Sequence, residues 1–442
     1  MFSQTLTWTG EIETLTPLHI GGGDAADISS FRQAGTQGEA GLVETVQRDG
    51  RNNPFIPGSS LKGILRRAFE EGLAADASLF ATLGAHPVAS LFGEIKNDGA
   101  GQAGPLWVYD APMIKAPVQM QDAPCAGVRT ASFVAARTAV DAESGTAEDH
   151  LLFRHEMVAP GAVFRLRLAL RVPSARDGDV ENLAAAIAGL LELAGGGMGL
   201  GKGQTGGHGR VRITPGSVSL DRQTLGPRGW GAPEPGKVTP LKVVQAGGAP
   251  AVFNLICEGP FLIRDSSWNP KKQKDLPQVK AQRLNDATPL VLGSSVRGVL
   301  RARIWWIAAC EALADGKSEV EARTAGEAAA DRLFGAPARA ARLRVEKVEV
   351  RPGASPRAFT SVALDRHSSA PVDGALFTSE TFIGTRLTVS LRLKPGKHDS
   401  AGEQAADEAL FQALQSDIRE NGLELGGGAA KGFGWFEVEE GQ

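Results

Sequence analysis

FIPGSSLKGILRRAFE (residues 55–70) decides how the chain is read. Leu61, Ile64, Leu65 and Phe69 recur at i, i+3, i+4 and i+8, the stripe of an amphipathic helix, with Lys62, Arg66 and Arg67 off its apolar face. Pro57-Gly58 reads as a hinge, and Ser59 or Ser60 as the N-cap. LVLGSSVRGVLRARIW (residues 290–305) repeats the plan: Gly58, Ser60, Lys62, Gly63 and Arg66 fall on Gly293, Ser295, Arg297, Gly298 and Arg301, all 235 positions later.

Three more landmarks recur in the same order. LFG at Leu91 returns at Leu333; RTAVDAESGTAEDHLLFRHEMVAPG from Arg137 is answered by SVALDRHSSAPVDGALFTSETFIG from Ser361, with Asp141 on Asp365 and Phe153 on Phe377; and LGKGQTGGHGRV from Leu200 aligns without a gap on LGGGAAKGFGWF from Leu425. Ordered self-similarity of this kind marks an internal duplication. The Pro- and Gly-rich stretch between the copies reads as a linker, giving a first domain at 1–214, a linker at 215–249 and a second domain at 250–442. Each half reads strand, long exposed loop, helix, hairpin-like insertion, strand, helix, glycine loop, strand. That order suits an α+β, ferredoxin-like core.

Composition narrows the function. A chain of 442 residues exceeds what one core usually organises. The formal net charge of -3 counts against a non-specific nucleic-acid binder but not against a sculpted groove, so anion binding must rest on local clusters. Three scattered cysteines (Cys125, Cys257, Cys310) lack the spacing of a disulfide framework or a zinc site. No apolar run reaches the roughly 18 residues of a membrane span, and MFSQTLTWTGEIETL alternates as a strand does rather than as a signal peptide. Cytoplasm is the expected compartment.

The glycine loops admit several readings. Gly196 to Lys202 nearly spells a phosphate-binding GxxxxGK, but Gly203 stands where Ser or Thr must hold magnesium. Gly201 to Gly206 satisfies GxGxxG, yet it follows a helical stretch and not a strand. A tight turn that lets a helix pack on the next strand explains either loop alone. Two loops in register, each with a cation (Lys202, Lys431), point instead to backbone amides cradling polynucleotide phosphates. The GSS hinges support this, because a helix N-terminus offers unpaired N–H donors. In RIWWIAACEAL from Arg303, the residues Trp305, Trp306, Ala309 and Leu313 read as a buried helix face.

LHIGGGD, FIPGSSLKGILRRAF, SLFG, VDAESGTAEDHLLFRHEMVAPG and the terminal glycine loop, in this order, resemble the RAMP superfamily of CRISPR-associated proteins, and among them the backbone subunits of type III effector complexes, here fused in tandem. The resemblance implies two ferredoxin-like, RRM-like domains, each with a β-hairpin thumb, stacked along a guide crRNA whose bases stay free to pair with target RNA. It implies partnership with other subunits of the complex and no membrane. It would place Gly58, Ser59, Ser60, Lys62 and Arg66, with Lys202 and Gly207, on guide RNA. In the second half the corresponding set would be Gly293, Ser294, Ser295, Arg297 and Arg301, with Lys431 and Gly432. Phosphate contacts of this kind hold register, and base pairing supplies specificity.

Catalytic relatives cut target RNA with an aspartate between the first strand and the hinge, using a divalent metal (Mg2+ or Mn2+). The resemblance makes Asp27 and Asp275 the candidate catalytic and metal-binding residues, with Asp24, Asp265 and Asp286 behind them; counting back from the hinge, the slot itself falls near Val43-Glu44. Two alternatives remain: a purely structural scaffold that binds RNA without cutting it, and a histidine-dependent guide-precursor processing endoribonuclease using His19 and His208.

Overall fold

The computed structural model describes residues 2–31, 41–95, 101–117, 131–140, 147–243, 249–265, 268, 277–285, 287–337, 339–395 and 400–439. Its helices are α1 (Gly58–Ala75), α2 (Pro87–Phe92), α3 (Val180–Gly195), α4 (Gly293–Ala314), α5 (Glu319–Phe334) and α6 (Ala401–Asn421). In the first half the central strand Gln4–Thr14 lies antiparallel between Arg210–Ile213 and Val163–Leu170, and the latter pairs in turn with Leu106–Val108 and Ala111–Lys115. In the second half Ala251–Cys257 lies antiparallel between Trp435–Val438 and Thr385–Leu393, which pairs with Leu343–Arg351. Numbering the four core strands of each half in chain order, both sheets run 4-1-3-2, the ferredoxin-like order, with α1 and α3 or α4 and α6 as their helices. The duplication read from the sequence is a duplication of topology.

The helical stripe behaves as its spacing dictates. Leu61, Ile64, Leu65 and Phe69 are all buried, each worth about 1.5–3 kcal/mol of transfer free energy. In α4 the buried line is Val296, Leu300, Ile304 and Ala308. Here the expectation for the tryptophans fails: Ala309 is buried, but Trp306 is 53 % exposed and Leu313 points outward, because the apolar line set at Val296 runs past them on the other side. Trp305 is covered instead by α5, whose Gly326 leaves no room for a Cβ beside the Trp305 carbonyl.

Three further readings need correction. Neither Ser59 nor Ser60 caps α1; Pro57 is the cap residue, no side chain caps from that position, and the Gly58 amide donates to Asp110 Oδ1 at 2.7 Å. The long loop before the hinge contains the paired strands Gly21–Asp27 and Leu42–Val46, and the latter runs parallel to Ala147–Val158 of the hairpin. The expected linker is largely docked on the first half. Arg210–Ile213 covers only residues 12–14 of the central strand, so the open edge at residues 4–9 takes up Ser219–Gly226 antiparallel, while Val238, Leu241 and Val243 pack on the first core.

Each half carries a long hairpin of the kind the resemblance implies: Ser132–Val140 with Ala147–Val158, and Ser355–Leu364 with Pro371–Ile383. Two separate cores, one per half, account for most of the buried apolar side chains. Among the described residues no helix is long and apolar enough to cross a membrane.

Candidate nucleic-acid interface

The two glycine loops repeat the same close contacts with their own fold. A Cβ on Gly209 would stand 1.8 Å from the Leu200 carbonyl oxygen, and one on Gly434 would stand 1.9 Å from that of Leu425. Gly201 and Gly426 likewise press on the carbonyls of His19 and Leu262, all four glycines at positive φ. These positions are glycine because the loop closes on its own fold, which is the packing-turn reading. Their outer faces differ. In the first half Gly206 and Gly207 are buried against the second: Val345 donates its amide to the Thr205 carbonyl at 3.1 Å, and the Gly206 carbonyl occupies the space where Gly293 would carry a side chain. In the second half Gly426 to Gly432 is exposed throughout, Lys431 included.

The hinge residues are therefore unlike one another. Gly58 is covered by the Val108 carbonyl and capped by Asp110; Ser59 is exposed, Ser60 half-buried. Lys62 is half-buried, and burial followed by the nearby Arg66 charge lowers its pKa. Arg66 pairs with Glu70 at 2.9 Å. In the second half Gly293 is buried under the first glycine loop; Ser294 and Ser295 are half-buried. Arg297 donates to the Phe334 carbonyl, and Arg301 pairs with Asp331 at 2.6 Å. These two arginines are turned onto α5, and the expected pairing of a cation with each glycine loop does not hold position for position: Lys202 corresponds to Gly427, not to Lys431.

What the sequence reading missed lies beneath the first hairpin. His155 Nε2 is 3.0 Å from Glu44 Oε2, Lys202 Nζ donates to the same oxygen at 2.7 Å, and His19 Nε2 lies 3.5 Å from Glu44 Oε1. Arg137 Nη2 sits 3.1 Å from His155 Nδ1, and His19 Nδ1 donates to the Glu156 carbonyl at 2.6 Å. His208 completes the group, buried with neither ring nitrogen hydrogen-bonded. Burial, then Arg137, His19 and Lys202, push His155 down to about 4, and burial pushes His208 down to about 3. Both rings are neutral near pH 7, which fixes His155 as a donor to Glu44 through Nε2 and an acceptor from Arg137 through Nδ1. The Lys202 hydrogen bond, and the charge of the same ammonium, hold Glu44 below the usual carboxylate range against the opposing effect of burial. Glu44 and Lys202 are the members that reach solvent.

The second half shows what this group replaces. Matching main-chain hydrogen bonds align Gln47 with Gln282, Ile20 with Ile263, and Val158 with Phe382. On that register His19, Glu44, Arg137, His155, Lys202 and His208 correspond to Leu262, Val279, Ser361, Ser379, Gly427 and Phe433. Leu262, Val279 and Phe433 form an apolar cluster there. By contrast the neighbouring ion pair is kept: Arg48 with the buried Glu156 in one half, Arg283 with Glu380 in the other. The pair belongs to the fold, and the histidine–glutamate group to the first half alone.

The hairpins share one further feature. Phe153 and Phe377, equivalent by sequence, are each 52 % exposed, and Leu376, Val362 and Leu364 are exposed on the second hairpin. Two large aromatics thus stand exposed to solvent at the same point of the two hairpins.

Asp27 and Asp24 are exposed on the edge of Gly21–Asp27, and Asp265 is half-buried; Asp275 and Asp286 lie outside the described residues. Among the described residues no group of three His, Cys, Asp or Glu side chains is disposed to hold a metal ion.

No curated protein matches the chain. A family model described as the RAMP superfamily matches residues 11–212 and again residues 247–437, one match on each ferredoxin-like half. The chain belongs to the RAMP superfamily, whose members are CRISPR-associated RNA-binding proteins, and it carries two copies of the family's domain in tandem.

Proposed function

We propose that this protein is a backbone subunit of a type III CRISPR effector complex, holding guide crRNA along both halves while target RNA pairs with it. The observation that supports this most directly is the equivalent placement of Phe153 and Phe377 on two hairpins of a duplicated fold, one aromatic wedge per domain. The exposed loop Gly426 to Gly432 offers side-chain-free backbone and the Lys431 cation to the strand, although the amides of Gly427, Lys431 and Gly432 already donate within the fold. The test is binding of a guide–target duplex by the wild-type chain and by F153A, F377A and the double variant. Stacking is worth about 1–3 kcal/mol per base, so each single change should weaken binding roughly 5- to 150-fold. Affinity unchanged in the double variant would sink the proposal.

The contrast between the halves favours one refinement: strand cleavage belongs to the first half, at Glu44, His155 and Lys202. Glu44 is an ionised carboxylate at the slot counted back from the hinge, able to take the proton of a 2′-hydroxyl as that oxygen bonds to phosphorus; the bond to the 5′-oxygen breaks, solvent water protonates the departing oxygen, and Lys202 is a cation beside the charge that builds on the phosphate. His155, in contact with Glu44 but nearly buried, positions the carboxylate. E44V, which copies Val279, should abolish cutting of a complementary target while leaving RNA binding intact. Cutting that persists in E44V but stops in D27A would return the activity to Asp27 and a metal. A chain that binds and never cuts is the scaffold alternative.

A further inference from the structure

A cleft at the joint between the halves collects more positive charge than its own carboxylates balance. Its lining includes Arg67, Glu71 and Arg210 from the first half and Arg344, Glu346 and Lys394 from the second. Both acids are already engaged: Glu71 accepts from Lys394 Nζ through both oxygens at 3.1 Å, and Glu346 Oε1 accepts from Arg392 Nε at 2.7 Å and lies 3.5 Å from Arg210 Nη1. Arg67 donates to two neutral acceptors, the Gly199 carbonyl and Gln204 Oε1, each at 3.0 Å. Arg344 is the residue left over. Its Nε is buried without a hydrogen-bond partner, and its cross-strand neighbour in the register is another arginine, Arg392. Burial and the neighbouring cations outweigh the carboxylates here: Lys394 is lowered by burial, Arg344 and Arg67 against Glu71, and Arg344 is lowered by burial and Arg67 against Glu71 and Glu346.

Like charges directly opposite on a sheet destabilise it, and a buried donor without a partner requires an explanation. The fold does not demand a cation here, since by strand register Arg344 corresponds to Trp107 of the first half. We propose that the cleft is a phosphate-binding site, in which Arg344, Arg67 and Lys394 together receive one phosphate group and so tie the two halves to each other. The group comes from the backbone of a bound RNA strand or from a free phosphorylated small molecule; the chemistry of recognition is the same. None of these three cations belongs to the hairpin aromatics or to the Glu44 group, and the proposal does not depend on the reading of either.

The experiment is thermal unfolding of the full chain in increasing sodium phosphate against sodium chloride of matched ionic strength. Phosphate should produce a saturating rise of roughly 2–4 °C that chloride does not. R344Q should lose that rise, and R344K should recover part of it. In chloride alone R344Q, or R344W copying Trp107, should unfold no lower than the wild type, because it relieves repulsion; a merely structural arginine would give the opposite. A short oligouridylate separates the sources: if it abolishes the phosphate effect the site takes an RNA backbone phosphate, and if the two effects add it takes a free phosphorylated molecule. No difference between phosphate and chloride, a phosphate response that survives R344Q, or a lower melting temperature of both Arg344 variants in chloride would overturn the proposal.

Discussion

His208 and His155 make the stability of the first half depend on pH, and the second half supplies the substitutions that test it. In the folded chain the two histidines sit at about 3 and about 4, against an ordinary 6.5. The unfolded chain therefore binds more protons as soon as the pH falls below about 6.5, and stability declines with falling pH until the folded values are reached. With two such groups the slope approaches about 2.7 kcal/mol per pH unit, and the loss between pH 6.5 and 5 is about 3 kcal/mol. H208F installs the residue of the second half, Phe433, in the equivalent hole. It should halve that loss, and at pH 7.5 it should not destabilise, because it removes two buried ring nitrogens that lack partners. Adding H155S, after Ser379, should remove most of what remains. Urea unfolding followed by tryptophan fluorescence at pH 7.5, 6.5, 5.5 and 5 reads these differences directly. If H208F and the wild type show parallel pH dependences, His208 is not a buried neutral ring and the account of the cluster fails.

Three further outcomes follow from contacts described above. G209A and G434A should each destabilise their own half severely, by more than about 3 kcal/mol, because a methyl at either position stands within 2 Å of a carbonyl oxygen; limited proteolysis would show which half opens. R48M leaves the buried Glu156 carboxylate without its counter-ion and should cost about 3–5 kcal/mol, R283M should cost less because Glu380 is partly exposed, and E44V, at a carboxylate that reaches solvent, should cost less than R48M in chemical denaturation. D110A removes the carboxylate that holds the Gly58 amide and should cost about 1 kcal/mol in thermal unfolding, while S59A and S60A, the residues expected to cap, should be close to neutral.

The parts of the fold that were legible in the sequence are those fixed by repetition and local period. The spacing of Leu61, Ile64, Leu65 and Phe69 located α1, the two LFG triplets end helices at Gly93 and Gly335 with nearly identical positive φ, and the gapless alignment of the glycine loops holds to their backbone contacts. What escaped was set by distant chain. Ser219–Gly226 becomes a strand only because half of the central strand has an open edge, and nothing local in that Pro- and Gly-rich stretch announces it. Asp110 caps α1 from 52 positions away. The same limit hid the Glu44 group: Glu44 and Lys202 alone stand 158 positions apart, and the group meets only when the strand Leu42–Val46 zips against the hairpin. A comparison of the two copies residue by residue would have exposed it, since each member faces a neutral residue in the other half.

That comparison also decides how the cluster should be understood. Withdrawing a carboxylate, an ammonium, a guanidinium and three imidazoles from water, wholly or in part, is unfavourable unless their mutual contacts make up the loss, and packed apolar side chains of similar volume often serve a core at least as well. Here the apolar solution exists within the same chain, on the same backbone, in Leu262, Val279 and Phe433. The first half thus keeps a group that its own fold does not need, with the neutral His155 and His208 opposing stability below pH 6.5. The kept pair Arg48–Glu156 and its copy Arg283–Glu380 show the opposite behaviour, a polar contact retained where the backbone arrangement requires it. Polar groups that violate the economy of a core tend to lie at sites of function. The difference between Glu44 and Val279 is therefore the strongest reason to look for chemistry in one half of this molecule and not in the other.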